Sequence, residues 1–197
     1  MISARHAESI INDRTCAVIG VHLFGNICDV DGLSALARKH KTHLLFDAAH
    51  AFNCTMGTTH VGNFGDAEVL SFHATKCFST FEGGAVLTND EELARRLRFN
   101  RNFGFSTYDT VDQLGINGKM PEACAAMGLA SLEEVEDRRE KLNRTYELYR
   151  EALSGLDGIR LLPVGERGKS NYHYIVVLAD ETFGVSRDAV CKVLWKE

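Results

Sequence analysis

A near-continuous apolar run from Thr15 to Phe24, ended by Gly25, is followed by a helix-spaced segment and then by a second apolar run, His43 to Phe46. Runs of this kind, short and without polar alternation, suit strands covered on both faces. Between them Asp29 or Asp31 can cap a helix whose apolar positions Leu33, Leu36 and Ala37 recur at helical spacing, and the basic Arg38-Lys39-His40-Lys41 suits its C-terminal end. Strand, helix, strand in that order is a βαβ unit. The expected fold class is therefore α/β, built on a mostly parallel sheet with a right-handed crossover.

Further along, Met56-Gly57 and Val61 to Asp66 form a glycine-rich connection, too polar and kinked for a helix. Glu68 to Ser71 then reads as a short strand, Phe72 to Phe81 as a loop, Gly83-Gly84 as a turn and Ala85 to Thr88 as another strand. Asp47 and Ser71 are expected to end neighbouring strands. Asp90-Glu91-Glu92 opens a helix through Leu93, Leu97 and Phe99, closed by Arg101 to Gly104, and Phe105 to Gly115 reads as a loop. Pro121-Glu122 starts a long helical pattern through Leu129, Leu142 and Leu153, capped at Gly155, as one helix or two nearly collinear ones. Ile159 to Pro163 and Tyr172 to Ala179 read as strands of a small second domain, and Arg187 to Trp195 as a helix.

Composition narrows the function. With 197 residues, 45% of them hydrophobic, the chain can bury one good core, and its net charge of -5 offers no basic patch for nucleic acid. No apolar run is long enough to span a membrane. The six cysteines form no C-x-x-C pair and no signal peptide is recognisable, which suits reduced thiols in a cytoplasmic protein. No His, Cys and carboxylate cluster has metal-ligand spacing.

Two positions carry chemistry. Between Glu68 and Glu82, Lys76 is the only charged side chain if His73 is neutral, so its loop is expected to be partly buried. Burial frees a lysine's lone pair for carbonyl chemistry. The second apolar strand ends at Asp47-Ala48-Ala49-His50, where ligands of open parallel sheets gather, and the two alanines leave room for something flat. Taken alone, Lys76 reads first as a lysine paired with a carboxylate, and Asp47 and His50 equally admit an aspartate capping a turn and a satisfied core histidine.

Seven blocks in order resemble one family, the DegT/DnrJ/EryC1/StrS sugar aminotransferases among the fold-type I pyridoxal-phosphate enzymes. They are Val21 to Gly25, Phe46-Asp47-Ala48-Ala49-His50-Ala51, Gly65-Asp66, Ser71-Phe72-His73-Ala74-Thr75-Lys76, Glu82 to Ala85, Arg101 to Gly104, and Asn117-Gly118-Lys119-Met120 with Ala125 to Gly128. The resemblance implies pyridoxal 5'-phosphate as cofactor, Lys76 as its Schiff-base lysine and proton shuttle, and Asp47 as partner of the pyridine nitrogen. It implies His50 against the ring or its 3-hydroxyl side, Ser71 on the phosphate, and Asn117 on the phosphate of the neighbouring subunit's cofactor. Lys119 would face the substrate's acidic portion or the solvent. The reaction implied is amino transfer from glutamate or glutamine to a nucleotide-linked keto-sugar, in a homodimer with shared sites.

The same resemblance divides the chain into the central part of the large domain (1–120), a connecting helix (121–155) and part of a small C-terminal domain (156–197). It also implies a chain about twice as long. Expected to be missing are a helix N-terminus for the phosphate, an aromatic residue stacking on the pyridine ring, and partners for several strands. The alternative is a truncated, non-catalytic binding or dimerisation module. A dehydratase branch, with histidine in place of the Schiff-base lysine, is disfavoured by Lys76.

Overall fold

The computed structural model describes residues 1–196. A first helix, α1 (Ala4–Ile10), is capped by Ser3 and was not anticipated from the sequence pattern. The βαβ unit follows as β1 (Ala17–Val21), α2 (Val30–His40) and β2 (His43–Asp47). Asp29 is the residue that caps α2, accepting the Gly32 N–H, and Lys41 ends it in the left-handed conformation. β1 and β2 run parallel, with Ala17 opposite His43 and Val21 opposite Asp47.

The glycine-rich connection contains a small antiparallel hairpin, β3 (Thr55–Met56) and β4 (Thr59–His60). β5 (Ala67–Ser71) then pairs parallel to β2, and β6 (Gly84–Leu87) pairs antiparallel to β5. The sheet order is β1-β2-β5-β6, so Asp47 and Ser71 do end neighbouring strands. α3 (Glu91–Arg101), capped by Asp90, leads into the 102–120 loop. The long helical pattern resolves into α4 (Glu122–Glu133) and α5 (Val135–Ala152), broken at Glu134. α5 stops before Gly155, which takes its positive φ in the turn beyond rather than as the cap. β7 (Ile159–Leu161) and β8 (Val177–Ala179) form a separate antiparallel pair, and α6 (Arg187–Leu194) follows, capped by Ser186. No helix among the described residues is long and apolar enough to cross a membrane.

Two expectations are corrected here. The apolar runs do not make strands covered on both faces. Val18, Leu44, Phe46 and Leu70 point into a core with Leu33 of α2 and Phe64 of the connection. The opposite face carries Ile19, Val69 and Val86, which are 58%, 48% and 44% exposed. A groove of about 680 Å³ runs beside β6, between its outer edge and α3. Ile19 reads as buried because its chemistry suits a covering layer, and nothing in residues 1–196 supplies one. The second correction concerns Tyr172 to Ala179: only its last three residues form a strand.

Close packing sets the covered face. A Cβ on Gly20 would lie 2.7 Å from the Phe46 ring, so glycine lets that ring lie against β1. Beneath the same face the Glu68 carboxylate is fully buried. Its Oε2 accepts the N–H groups of Gly62 and Phe64, and Oε1 faces His22 Nε2 at 3.0 Å. His22 Nδ1 accepts the Cys28 N–H at 3.2 Å, so the ring proton sits on Nε2 and is given to Glu68. His22 also stacks on Phe46 at 4.8 Å. Glu68→Ala would strand three donors at once, two of them buried, and we expect it to destabilise the fold by about 3–5 kcal/mol, measured by urea unfolding.

Candidate active site

The two predicted strand-end residues stand at the C-terminal ends of neighbouring parallel strands, with Asp47 opposite Val69 and Ser71 two residues beyond it. Asp47 is exposed on the open side of the sheet. Its Oδ1 accepts the Ala49 N–H at 2.9 Å, and Oδ2 has no partner among the described residues. Ser71 is half-buried and its Oγ accepts the His73 N–H at 3.4 Å, a long contact that leaves the hydroxyl proton to donate elsewhere. Ala48 belongs to the core and is 0% exposed, so the room beside Asp47 is made by Ala49 alone, against the expectation for both alanines.

Lys76 lies in the loop after β5, in a turn closed by its own N–H on the His73 carbonyl at 2.9 Å. It is half-buried, as expected. No carboxylate among the described residues lies within 4.0 Å of its amine, and nothing hydrogen-bonds it, which removes the reading of Lys76 as half of a structural ion pair. The thiol of the adjacent Cys77 is pushed up by burial, so it stays protonated and weakly nucleophilic beside the amine.

His50 sits between these groups. Its Nδ1 accepts the Phe24 N–H at 3.4 Å, and its ring stacks on Phe24 at 5.7 Å and tilts against Tyr174 at 4.4 Å. Burial, then the positive charge of Lys76, hold its pKa below the ordinary histidine value, while the Asp47 carboxylate pulls the other way. The charges of Asp47 and Lys76 thus both reach His50, with Ser71 at the end of the strand next to that of Asp47.

Asn117 stands apart. Its Oδ1 accepts the Lys119 amine at 2.8 Å, and Lys119 also lies over the Phe103 ring at 3.9 Å. Neither touches the other predicted residues within this chain.

The sequence reading missed a second set of residues, carried by the extended segment 167–174. Asn171 is 3% exposed and gives both amide protons to the carbonyls of His50 and Phe52, at 3.0 Å each. His173 Nε2 meets the Thr75 carbonyl at 2.8 Å, and Tyr174 covers His50. The only signal was the alternation Asn171-Tyr172-His173-Tyr174, which mimics a strand.

A bound pyridoxal phosphate needs an amine for its aldehyde, an acid for its ring nitrogen, a flat surface and donors for its phosphate. The free Lys76 amine, the open Oδ2 of Asp47, the flat His50 ring and the Ser71 hydroxyl fit that demand.

The fold class is that of the fold-type I aminotransferases. The chain belongs to the DegT/DnrJ/EryC1/StrS aminotransferase family, whose pattern matches residues 1–197. It is 38% identical over 192 residues to a dTDP-4-amino-4,6-dideoxy-D-glucose transaminase of Shigella dysenteriae, covering 96% of this chain and 52% of that one. It is 33% identical over 196 residues to a GDP-perosamine synthase of Caulobacter vibrioides, covering 98% and 53%. Among solved structures, DesI in the presence of its TDP-sugar product superposes with a TM-score of 0.93 at 42% identity, over 98% of this chain and 50% of that one. The chain spans about half the length of the curated relatives it matches.

Segment 167–174 is further held by Glu136 of α5. Glu136 accepts Lys169 Nζ at 2.7 Å, Asn53 Nδ2 at 2.7 Å and Arg139 Nε at 3.0 Å. These contacts, that of Lys169 foremost, hold its pKa at about 2, down from 4.5. A depressed carboxylate stabilises the fold above its unfolded pKa, so this contribution is full above pH 4.5 and lost as pH falls toward about 2. Because the side chain is 56% exposed, salt weakens it. Glu136→Gln is expected to flatten the stability profile between those two pH values and to remove its salt dependence, read by denaturant titrations at stepped pH.

Proposed function

We propose that this chain carries the catalytic centre of a pyridoxal-phosphate-dependent transaminase acting on a nucleotide-linked keto-sugar in the cytoplasm, with glutamate or glutamine as amino donor. The observation that carries this reading is an unpaired lysine amine and a half-free carboxylate held around one histidine ring, at the ends of adjacent strands. The sugar-nucleotide substrate is supported by relatives named as a dTDP-sugar transaminase and a GDP-perosamine synthase.

Bound at this site, pyridoxal phosphate supplies an aldehyde that condenses with amines and a ring that withdraws electrons from the carbon being deprotonated. Lys76 would hold it through its amine and, with that amine free, would move the proton at the substrate carbon. Asp47 would hold a proton on the ring nitrogen by a charge-assisted hydrogen bond. His50 would lie against the ring or its 3-hydroxyl side. Ser71 would donate its hydroxyl proton to the phosphate. Asn117, apart from the others within one chain, serves the phosphate in the site of a second copy, so the working unit is a homodimer.

The uncovered sheet face supports a second reading, a non-catalytic module whose Ile19, Val69 and Val86 dock on a partner. Mixing the purified chain with pyridoxal phosphate, reducing with borohydride and mapping the adduct by peptide mass separates the two. A single adduct on Lys76, lost in Lys76→Ala, is the expected result. A folded chain with no specific adduct leaves the module reading. Asp47→Ala is expected to keep the adduct but lower amino transfer by about a hundredfold or more, and an undiminished rate sinks the role given to Asp47.

A further inference from the structure

Segment 167–174 meets the rest of the chain in a regular way. The Arg167 carbonyl accepts the Gly57 N–H at 2.8 Å, and Lys169 exchanges contacts with Thr55, its carbonyl taking the Thr55 N–H and its N–H reaching Thr55 Oγ1, both at 2.9 Å. Asn171 holds the carbonyls of His50 and Phe52, and His173 holds the carbonyl of Thr75. Residues 167, 169, 171 and 173 therefore tie successive points of the connection, the His50 turn and the Lys76 loop. Asn171 Oδ1 also accepts the His173 N–H at 3.2 Å, which couples the last two ties.

The chain is bent to make these contacts. Tyr172 adopts φ +55°, uncommon for a bulky residue, and its ring tilts against Tyr146 of α5 at 5.6 Å. A carbonyl only accepts, so His173 carries its proton on Nε2. The carbonyls of His50 and Thr75 have no other protein donor among the described residues. The Lys76 loop is also held by its own turn contact, by the Thr80 N–H on the Phe72 carbonyl at 3.0 Å, by Ser131 Oγ on the Ser79 carbonyl at 3.3 Å and by the Arg138 guanidinium on the Cys77 carbonyl at 3.3 Å, but none of these reaches the Thr75 carbonyl.

We propose that Asn171 and His173 are positioning residues that set the separation between the turn bearing His50 and the loop bearing Lys76. Asn171 holds the His50 turn and also reaches Cys77 Sγ at 3.5 Å, His173 holds the Thr75 carbonyl, and their mutual contact joins the two ties. The consequence for the cofactor rests on the reading of Lys76 given above. The cross-tie itself does not.

Two readouts on the full chain test it: hydrogen exchange of peptides covering 48–53 and 73–77, and the pyridoxal phosphate concentration that half-saturates the borohydride adduct. His173→Leu removes the donor, whereas His173→Gln keeps an N–H at similar reach. The leucine variant is expected to exchange about tenfold faster in 73–77 than in the wild type and to need about tenfold more pyridoxal phosphate, with glutamine restoring both to within about threefold. Asn171→Ala is expected to speed exchange in 48–53 as well. A folded leucine variant with wild-type exchange in 73–77 overturns the cross-tie, as does loosening that glutamine fails to reverse. If the wild type forms no adduct at Lys76, the cofactor reading falls, and the exchange results alone decide the cross-tie.

Discussion

The buried carboxylate of Glu68 is the contact on which the rest of the arrangement depends. A charge in a core is stable only when its lone pairs are met, and here two amide protons and an imidazole proton meet them. The donors come from separate stretches of chain. Gly62 and Phe64 belong to the connection between β4 and β5, and His22 to the end of β1. One side chain therefore fixes where β5 starts relative to β1, and through β5 the position of Ser71 and of the loop that carries Lys76. His22 passes the constraint on, because its other nitrogen holds the Cys28 N–H and so shapes the loop that lays Phe24 against His50. Core and site are joined by a short run of hydrogen bonds.

Sequence pattern exposed the parts of this that rest on local chemistry. The βαβ unit was legible because Asp29 caps α2 and the apolar spacing repeats within a few residues. Lys76 and Asp47 stood out because a charge amid apolar neighbours demands a reason. The Glu68 and His22 pair was not legible, since its members are 46 positions apart and each has an ordinary local setting. Tyr172 and His173 were misread for a physical reason: alternating aromatic residues suit a strand, yet the positive φ at Tyr172 and the side-chain ties replace a strand's ladder. Ala48 was misplaced because a small residue at a strand end can line a site or fill a core, and composition does not distinguish them.

The open sheet face is the other point where pattern and structure diverged. Ile19, Val69 and Val86 are residues that a strand carries toward a second layer, yet on residues 1–196 that layer is absent. Asp47 shares this face with them, by the register that sets Ile19 opposite Leu45 and Asp47 opposite Val69. The carboxylate's free oxygen thus borders the same uncovered side as the exposed apolar groups. Whatever covers that face also lowers the dielectric around Asp47, and a charge-assisted contact there gains strength as water leaves.

The two ends of the site are held by different means, and this follows from where each lies. Asp47 and Ser71 stand on paired parallel strands, whose ladder fixes them to one another. His50 and Lys76 stand on loops, which have no ladder of their own and take their order from side chains reaching across from segment 167–174. That segment is in turn anchored by Lys169 on Glu136 of α5. α5 thus reaches the lysine loop both through that segment and directly, by Arg138 on the Cys77 carbonyl. A site split this way keeps its acid rigid and makes the placing of its amine depend on the later part of the chain.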